Sequence, residues 1–162
     1  MNKDLEDAFT AMIQQHERLI YKACYFYCTD QQPVEDLYQE VVYNLWKGYP
    51  KFRGESQLST WIYRIAMNTC VTQIRKDNNR PKPSDLSVEI AEALPSPSEM
   101  QSEVKELHSL IQTLPTIDRA IVLLYLEGMS HNEISEVTGL KPNHIAVKFS
   151  RIKQKLKEQS NQ

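Results

Sequence analysis

Apolar residues recur every three or four positions along most of the chain, the spacing of amphipathic helices, and no alternating run is long enough to predict a sheet. Over residues 5–28 the pattern passes through Leu5, Phe9, Met12, Ile13, Ile20, Ala23 and Cys24. Pro33 opens a helix to about Lys47, since its fixed φ suits a first turn, and Gly48 and Pro50 end it. Val34, Leu37, Val41 and Leu45 form its buried stripe. A third helix runs from about Ser59, a good N-cap residue, to Lys76.

Further along, Leu107, Leu110, Ile111 and Leu114 keep helical spacing and stop at Pro115. A second helix spans about Thr116–Glu127, with Gly128 at its end. Ser130-His131-Asn132-Glu133 is a capping-box pattern that starts a short helix, Gly139 closes it, and Pro142 opens a last one to about Glu158. Between the two sets stands a Pro-, Ser- and Glu-rich stretch with one apolar segment at Val88–Leu94, too poor in core residues to pack by itself. The expected architecture is therefore all-α: helical domains at 1–78 and 103–160 joined by a flexible linker at 79–102.

Composition adds that the chain is globular and carries no run of about 18 apolar residues, so no membrane-spanning helix is expected. Its acidic start lacks the apolar core of a secretory signal, and three cysteines are expected to stay reduced in a cytoplasmic protein. The formal net charge of −2 conceals four blocks. Residues 1–46 carry three basic and eight acidic side chains, 47–82 eight and two, 83–140 two and ten, and 141–162 six and one. Two basic surfaces thus alternate with acidic ones, a distribution suited to nucleic acid at two places.

The second basic block lies on a helix-turn-helix. The short helix 130–139, the Gly139 turn and the basic helix from Pro142 place Ile145, Phe149, Ile152 and Leu156 inward. Lys141, Asn143, His144, Val147, Lys148 and Arg151 are left to face a major groove, the first members at base edges and Lys148 and Arg151 at phosphate or guanine. In the first basic block, Ile62, Ile65, Ala66 and Thr69 share one helix face, while Trp61, Arg64, Asn68 and Arg75 share the other. An aromatic, an amide and two guanidiniums suit stacking on unpaired bases and gripping phosphates. The preceding polar loop, with Phe52, Arg53, Glu55 and Ser56, is suited to hold an extruded base. On the helix from Pro33, Asp36, Gln39, Glu40 and Tyr43 make an acidic and amide face with an exposed Trp46 at its edge, which suits a basic protein partner.

Val34-Glu35-Asp36-Leu37-Tyr38-Gln39-Glu40-Val41 resembles a pattern of the sigma-70 family, and so does Trp61-Ile62-Tyr63-Arg64-Ile65-Ala66-Met67-Asn68. Leu114-Pro115, Gly128-Met129-Ser130 and Glu133-Ile134-Ser135 resemble the opening of that family's promoter-reading helix-turn-helix. The resemblance implies a sigma factor of the extracytoplasmic-function group, with a region 2 bundle and a region 4 helix-turn-helix. By that resemblance Asp36, Gln39, Glu40 and Trp46 dock on the clamp helices of the largest subunit of core RNA polymerase, with other core surfaces also engaged. Phe52, Arg53, Glu55, Ser56, Trp61, Arg64, Asn68 and Arg75 hold the −10 element of promoter DNA. Lys141, Asn143, His144, Val147, Lys148 and Arg151 read the −35 element. An anti-sigma factor is an implied further partner.

The recognition helix departs from the family pattern: Lys141-Pro142-Asn143-His144-Ile145-Ala146 stands where a serine cap and a glycine–threonine–valine–lysine stretch are usual. Lys148 replaces an arginine and Ile152 an alanine, so the −35 sequence does not follow. An autonomous helix-turn-helix regulator explains the first basic block poorly. An enzyme is disfavoured too, since His16, His108, His131 and His144 are scattered, with no metal-ligand spacing and no phosphate-binding glycine loop, and no cofactor is expected.

Overall fold

The computed structural model describes residues 2–78 and 102–160, so the expected linker lies outside the described residues except for Ser102, as does the Val88–Leu94 segment. The chain is all-α and divides into two compact units. The first holds α1 (Lys3–Gln15), α2 (Glu17–Tyr27), α3 (Val34–Gly48), a 3-10 turn at Tyr49–Lys51 and α4 (Leu58–Asn78). The second holds α5 (Ser102–Gln112), α6 (Thr116–Leu126), α7 (His131–Thr138) and α8 (Pro142–Ser160).

The pattern over 5–28 forms two helices. The chain breaks at His16 (φ −111°, ψ 18°), whose N–H is shared between the carbonyls of Met12 and Ile13. The cause is the polar run from Gln14 to Arg18, which leaves a full turn without an apolar anchor. The reorientation lets Phe9 and Met12 bury from α1 while Ile20, Ala23, Cys24 and Tyr27 bury from α2. Asn2 caps α1 by accepting the N–H of Asp4 at 3.1 Å.

In the first unit α2 and α3 pack against each other and both pack on α4. Contact on two sides explains why α4 buries Tyr63, Met67 and Cys70 as well as the expected Ile62, Ala66 and Thr69. Ser59 is not the cap of α4. The helix begins one residue earlier, the carbonyl of Gln57 accepts the Trp61 N–H at 3.0 Å, and Ser59 lies within the first turn. Asn44 donates to Thr69 Oγ1 at 2.9 Å, and that hydroxyl donates to the Ile65 carbonyl at 2.7 Å, so the polar groups at the α3–α4 seam are satisfied. Cys24, Cys28 and Cys70 are free thiols. Cys24 is held protonated by its hydrogen bond with Cys70 and by burial, while burial and the adjacent Cys24 push Cys28 up to about 11.

In the second unit α6 packs on both α7 and α8, and its Ala120–Leu124 run is buried throughout. The capping box forms as the sequence predicts. Glu133 N–H donates to Ser130 Oγ and Ser130 N–H to the Glu133 carboxylate, each at 3.2 Å. Gly139 ends α7 with φ +80°, a left-handed geometry that a side chain resists. Thr138 and Ser135 hydroxyls bind the Ile134 and Leu140 carbonyls and fix the turn into α8.

Arg119 reaches back from α6, donating through Nε to the Leu114 carbonyl and through Nη2 to the Gln112 carbonyl, both at 2.9 Å. These acceptors are at the end of α5 and in the turn after it, where a helix runs out of its own N–H donors. Arg119→Met keeps the aliphatic stem and removes both donors, and should cost the second unit about 1.5–3 kcal/mol. Thermal unfolding checks this. A loss no larger than the ~1 kcal/mol expected for removing the Ser130 cap would show that those carbonyls find other partners.

Candidate nucleic-acid and partner interfaces

On α3, burial of Val34, Leu37, Val41 and Leu45 turns Asp36, Gln39, Glu40 and Tyr43 outward. Tyr43 is 57% exposed, and the Lys47 ammonium lies 4.8 Å from its ring centroid. Trp46 corrects the sequence reading. It is half-buried, with its ring edge-on to Phe9 of α1 at 5.0 Å, because α1 folds back over this end of α3. Trp46, Phe9, Val42 and Tyr43 line an open apolar groove of about 680 Å³ whose rim carries Glu6 and Gln39. The acidic face therefore borders an apolar trough rather than a single projecting indole.

The loop between the 3-10 turn and α4 makes the second surface. Phe52 stacks obliquely on Trp61 with centroids 4.8 Å apart. Gly54 in the same loop takes φ +74°, a left-handed geometry that glycine permits. Phe52, Arg53, Glu55, Ser56, Trp61 and Arg64 line one recess of about 580 Å³. Six of the eight residues assigned to this surface from sequence are thus together in space. Asn68 lies in a neighbouring polar recess between α3 and α4, and Arg75 is exposed near the end of α4 and lines neither recess.

That neighbouring recess was missed in the sequence reading. Besides Asn68 it presents Lys47 and Lys76, with Thr72 and Gln73 between them. The charge of block 47–82 was a legible signal for both lysines, but pairing them across two helices needed the α3–α4 packing. Gly48 was read only as a helix end. A Cβ there would stand 3.3 Å from Trp61 Cζ2, so glycine gives the indole its seat against the end of α3.

In the second unit the helix-turn-helix is α7 and α8. Ile145, Phe149 and Ile152 are buried as expected, and Phe149 packs on Tyr125 of α6 at 4.0 Å between centroids. Lys141, just before α8, and Asn143, His144, Val147 and Arg151 along it are exposed. The Lys141 carbonyl accepts the Ile145 N–H at 3.0 Å, which sets Asn143 and His144 in the first turn. Lys148 is different. It is half-buried, and its ammonium lies 3.5 Å from Asp118 Oδ1 on α6. No sequence signal pointed to Asp118, which is 30 residues away.

Among the described residues no helix is long and apolar enough to cross a membrane, and no cluster of three or more His, Cys, Asp or Glu could hold a metal ion.

Residues 12–80 match sigma-70 region 2, and residues 105–156 match sigma-70 region 4. The ECF RNA polymerase sigma factor SigG of Mycobacterium tuberculosis is 35% identical over 88% of this chain, and the chain spans only 39% of that relative's length. The RNA polymerase sigma-H factor of Pseudomonas aeruginosa is 29% identical, the match covering 80% of this chain and 74% of that one. Among solved structures, the sigma factor RpoE of Bartonella quintana, in complex with the anti-sigma factor NepR, superposes with a TM-score of 0.71 at 18% identity. That superposition covers 93% of this chain and 95% of the other, and it speaks to the fold. With both regions matched in order on two helical units, the chain belongs to the sigma-70 family, in its extracytoplasmic-function group.

Proposed function

We propose that the chain directs core RNA polymerase to specific promoters and helps to open them, acting in the cytoplasm with no catalytic chemistry of its own. What carries this reading is the recess in which Phe52, Arg53, Glu55, Ser56, Trp61 and Arg64 meet. Two stacked rings ringed by guanidiniums and hydroxyl or carboxylate acceptors suit an unpaired base and its phosphate. A solvated helix face has no use for such a pocket. Asn68, in the neighbouring recess, and Arg75, exposed further along α4, lie outside that recess and are assigned to the same element.

The working parts follow the helices. Residues 1–78 are assigned to the polymerase and the −10 element, 79–102 to the linker, and 103–160 to the −35 element. Asp36, Gln39 and Glu40 give α3 an acidic, amide-bearing face for the polymerase clamp helices. Trp46 serves as a wall of the adjoining trough, where an apolar side chain of the partner seats. On α8, Asn143, His144 and Val147 meet base edges and Arg151 meets phosphate or guanine, with Lys141 just before the helix. Lys148 stands on the same stretch. An anti-sigma factor is a reasonable further partner, since the similar RpoE was solved with one bound.

Mixing the chain with core RNA polymerase should give co-elution on a sizing column, lost when Asp36 and Glu40 are both changed to alanine. Failure of the unaltered chain to bind the core enzyme of its own source would end this reading and favour an autonomous regulator. Trp61→Ala should spare closed-complex formation and impair strand opening, losing about 1–3 kcal/mol of base stacking. Permanganate reactivity of promoter thymines equal to the unaltered protein's would rule that role out. Arg151→Ala should weaken binding to the upstream element and lower the slope of log affinity against log salt by about one. An unchanged slope would remove Arg151 from the phosphate contacts.

A further inference from the structure

Helix α8 carries a lysine that its neighbour already holds. Lys148 Nζ stands 3.5 Å from Asp118 Oδ1, with the lysine and aspartate side chains 28% and 18% exposed, so solvent screens the pair only in part. Asp118 is the third residue of α6, in the first turn, where free N–H groups and the helix dipole favour a carboxylate. Its side chain is short and its place is set by α6, whose neighbouring Ala120–Leu124 run is buried. Lys148 has four methylenes and a range of positions to choose from. The aspartate therefore decides where the ammonium sits.

Position 148 lies between Val147 and Arg151, within the stretch assigned to DNA. A free ammonium there would add a phosphate contact that is blind to sequence, strengthening binding everywhere alike. The pairing with Asp118 competes with that contact. A phosphate that took the lysine away would also leave a carboxylate uncompensated beside the DNA, which opposes the exchange.

We propose that Asp118 is a positioning residue that withholds Lys148 from the DNA backbone, so that α8 depends on Asn143, His144 and Arg151 and gains discrimination by forgoing one nonspecific contact. This rests on the reading of α8 as the DNA-facing helix.

The test uses holoenzyme, the full chain with core polymerase, on promoter duplexes that this holoenzyme selects from a library randomised upstream. Affinity is measured across a salt series for Arg151→Ala, Lys148→Ala, Asp118→Asn, the Asp118→Asn/Lys148→Ala double variant and Asp118→Glu. Arg151→Ala reports on α8 itself: if it leaves upstream affinity unchanged at every salt concentration, the DNA-facing reading falls and the proposal with it. With that reading intact, Lys148→Ala should leave the salt slope where it was. Asp118→Asn should steepen the slope by about one and tighten binding to selected and scrambled upstream sequences alike, roughly 5–10-fold at about 0.1 M salt. The double variant should cancel the gain, and Asp118→Glu, which keeps a carboxylate, should restore the original slope. A gain of affinity cannot come from a damaged fold, so a structural defect would read out in the opposite direction. The proposal is overturned if Lys148→Ala alone lowers the slope by about one, or if Asp118→Asn leaves slope and affinity unchanged.

Discussion

Helix α4 is gripped from two sides, by α2 and by α3, and the first unit is organised around that grip. A helix in contact on one side keeps roughly half its surface for solvent, whereas one held on two sides keeps a strip. Ile62, Tyr63, Ala66, Met67, Thr69 and Cys70 are all buried, leaving Asn68 and Arg75 fully outward and Trp61 and Arg64 at the margin. The strip is narrow, but its side chains stand on a backbone that the core cannot let move. That is the condition for holding an aromatic ring and a guanidinium at fixed separation. The second unit meets the same need with less material, through a seam of Ile145, Phe149 and Ile152 against α6 and α7.

Helical spacing made the fold readable because each helix has one side that must avoid water. The stripes on α3 and α8, the Ser130 capping box and the Gly139 stop could each be read because they are local. Their physics closes within one or two turns. What could not be read depended on a second element. The break at His16 lay inside a pattern whose apolar residues kept a helical phase across a polar run. The start of α4 was shifted by one residue because a serine suited to capping lies inside the first turn. Trp46 was expected outside, since nothing in α3 announces that Phe9 of α1 will cover it.

The candidate surfaces follow the same division. Residue types at helical spacing on the loop and α4 were enough to assemble most of the Phe52–Arg64 recess, because loop and helix are adjacent in sequence. Lys47 and Lys76 share a polar cleft only because α3 and α4 run side by side. Asp118 reaches Lys148 only through the packing of α6 on α8. Charge counted by blocks located both basic regions, yet it could not show that Lys148 has a carboxylate partner on another helix. Block charge measures supply, and the packed structure determines how much of it is spent internally.

The contact between Gly48 and Trp61 has a mechanical meaning. A Cβ at position 48 would stand 3.3 Å from the indole edge, tighter than ordinary contact, so a larger residue there would push the ring or the end of α3 aside. Close-packed atoms pass displacement on rather than absorb it. The shape of the aromatic recess thus depends on a residue of α3 that does not line it, and bulk added at the helix end would be felt at the Trp61 ring.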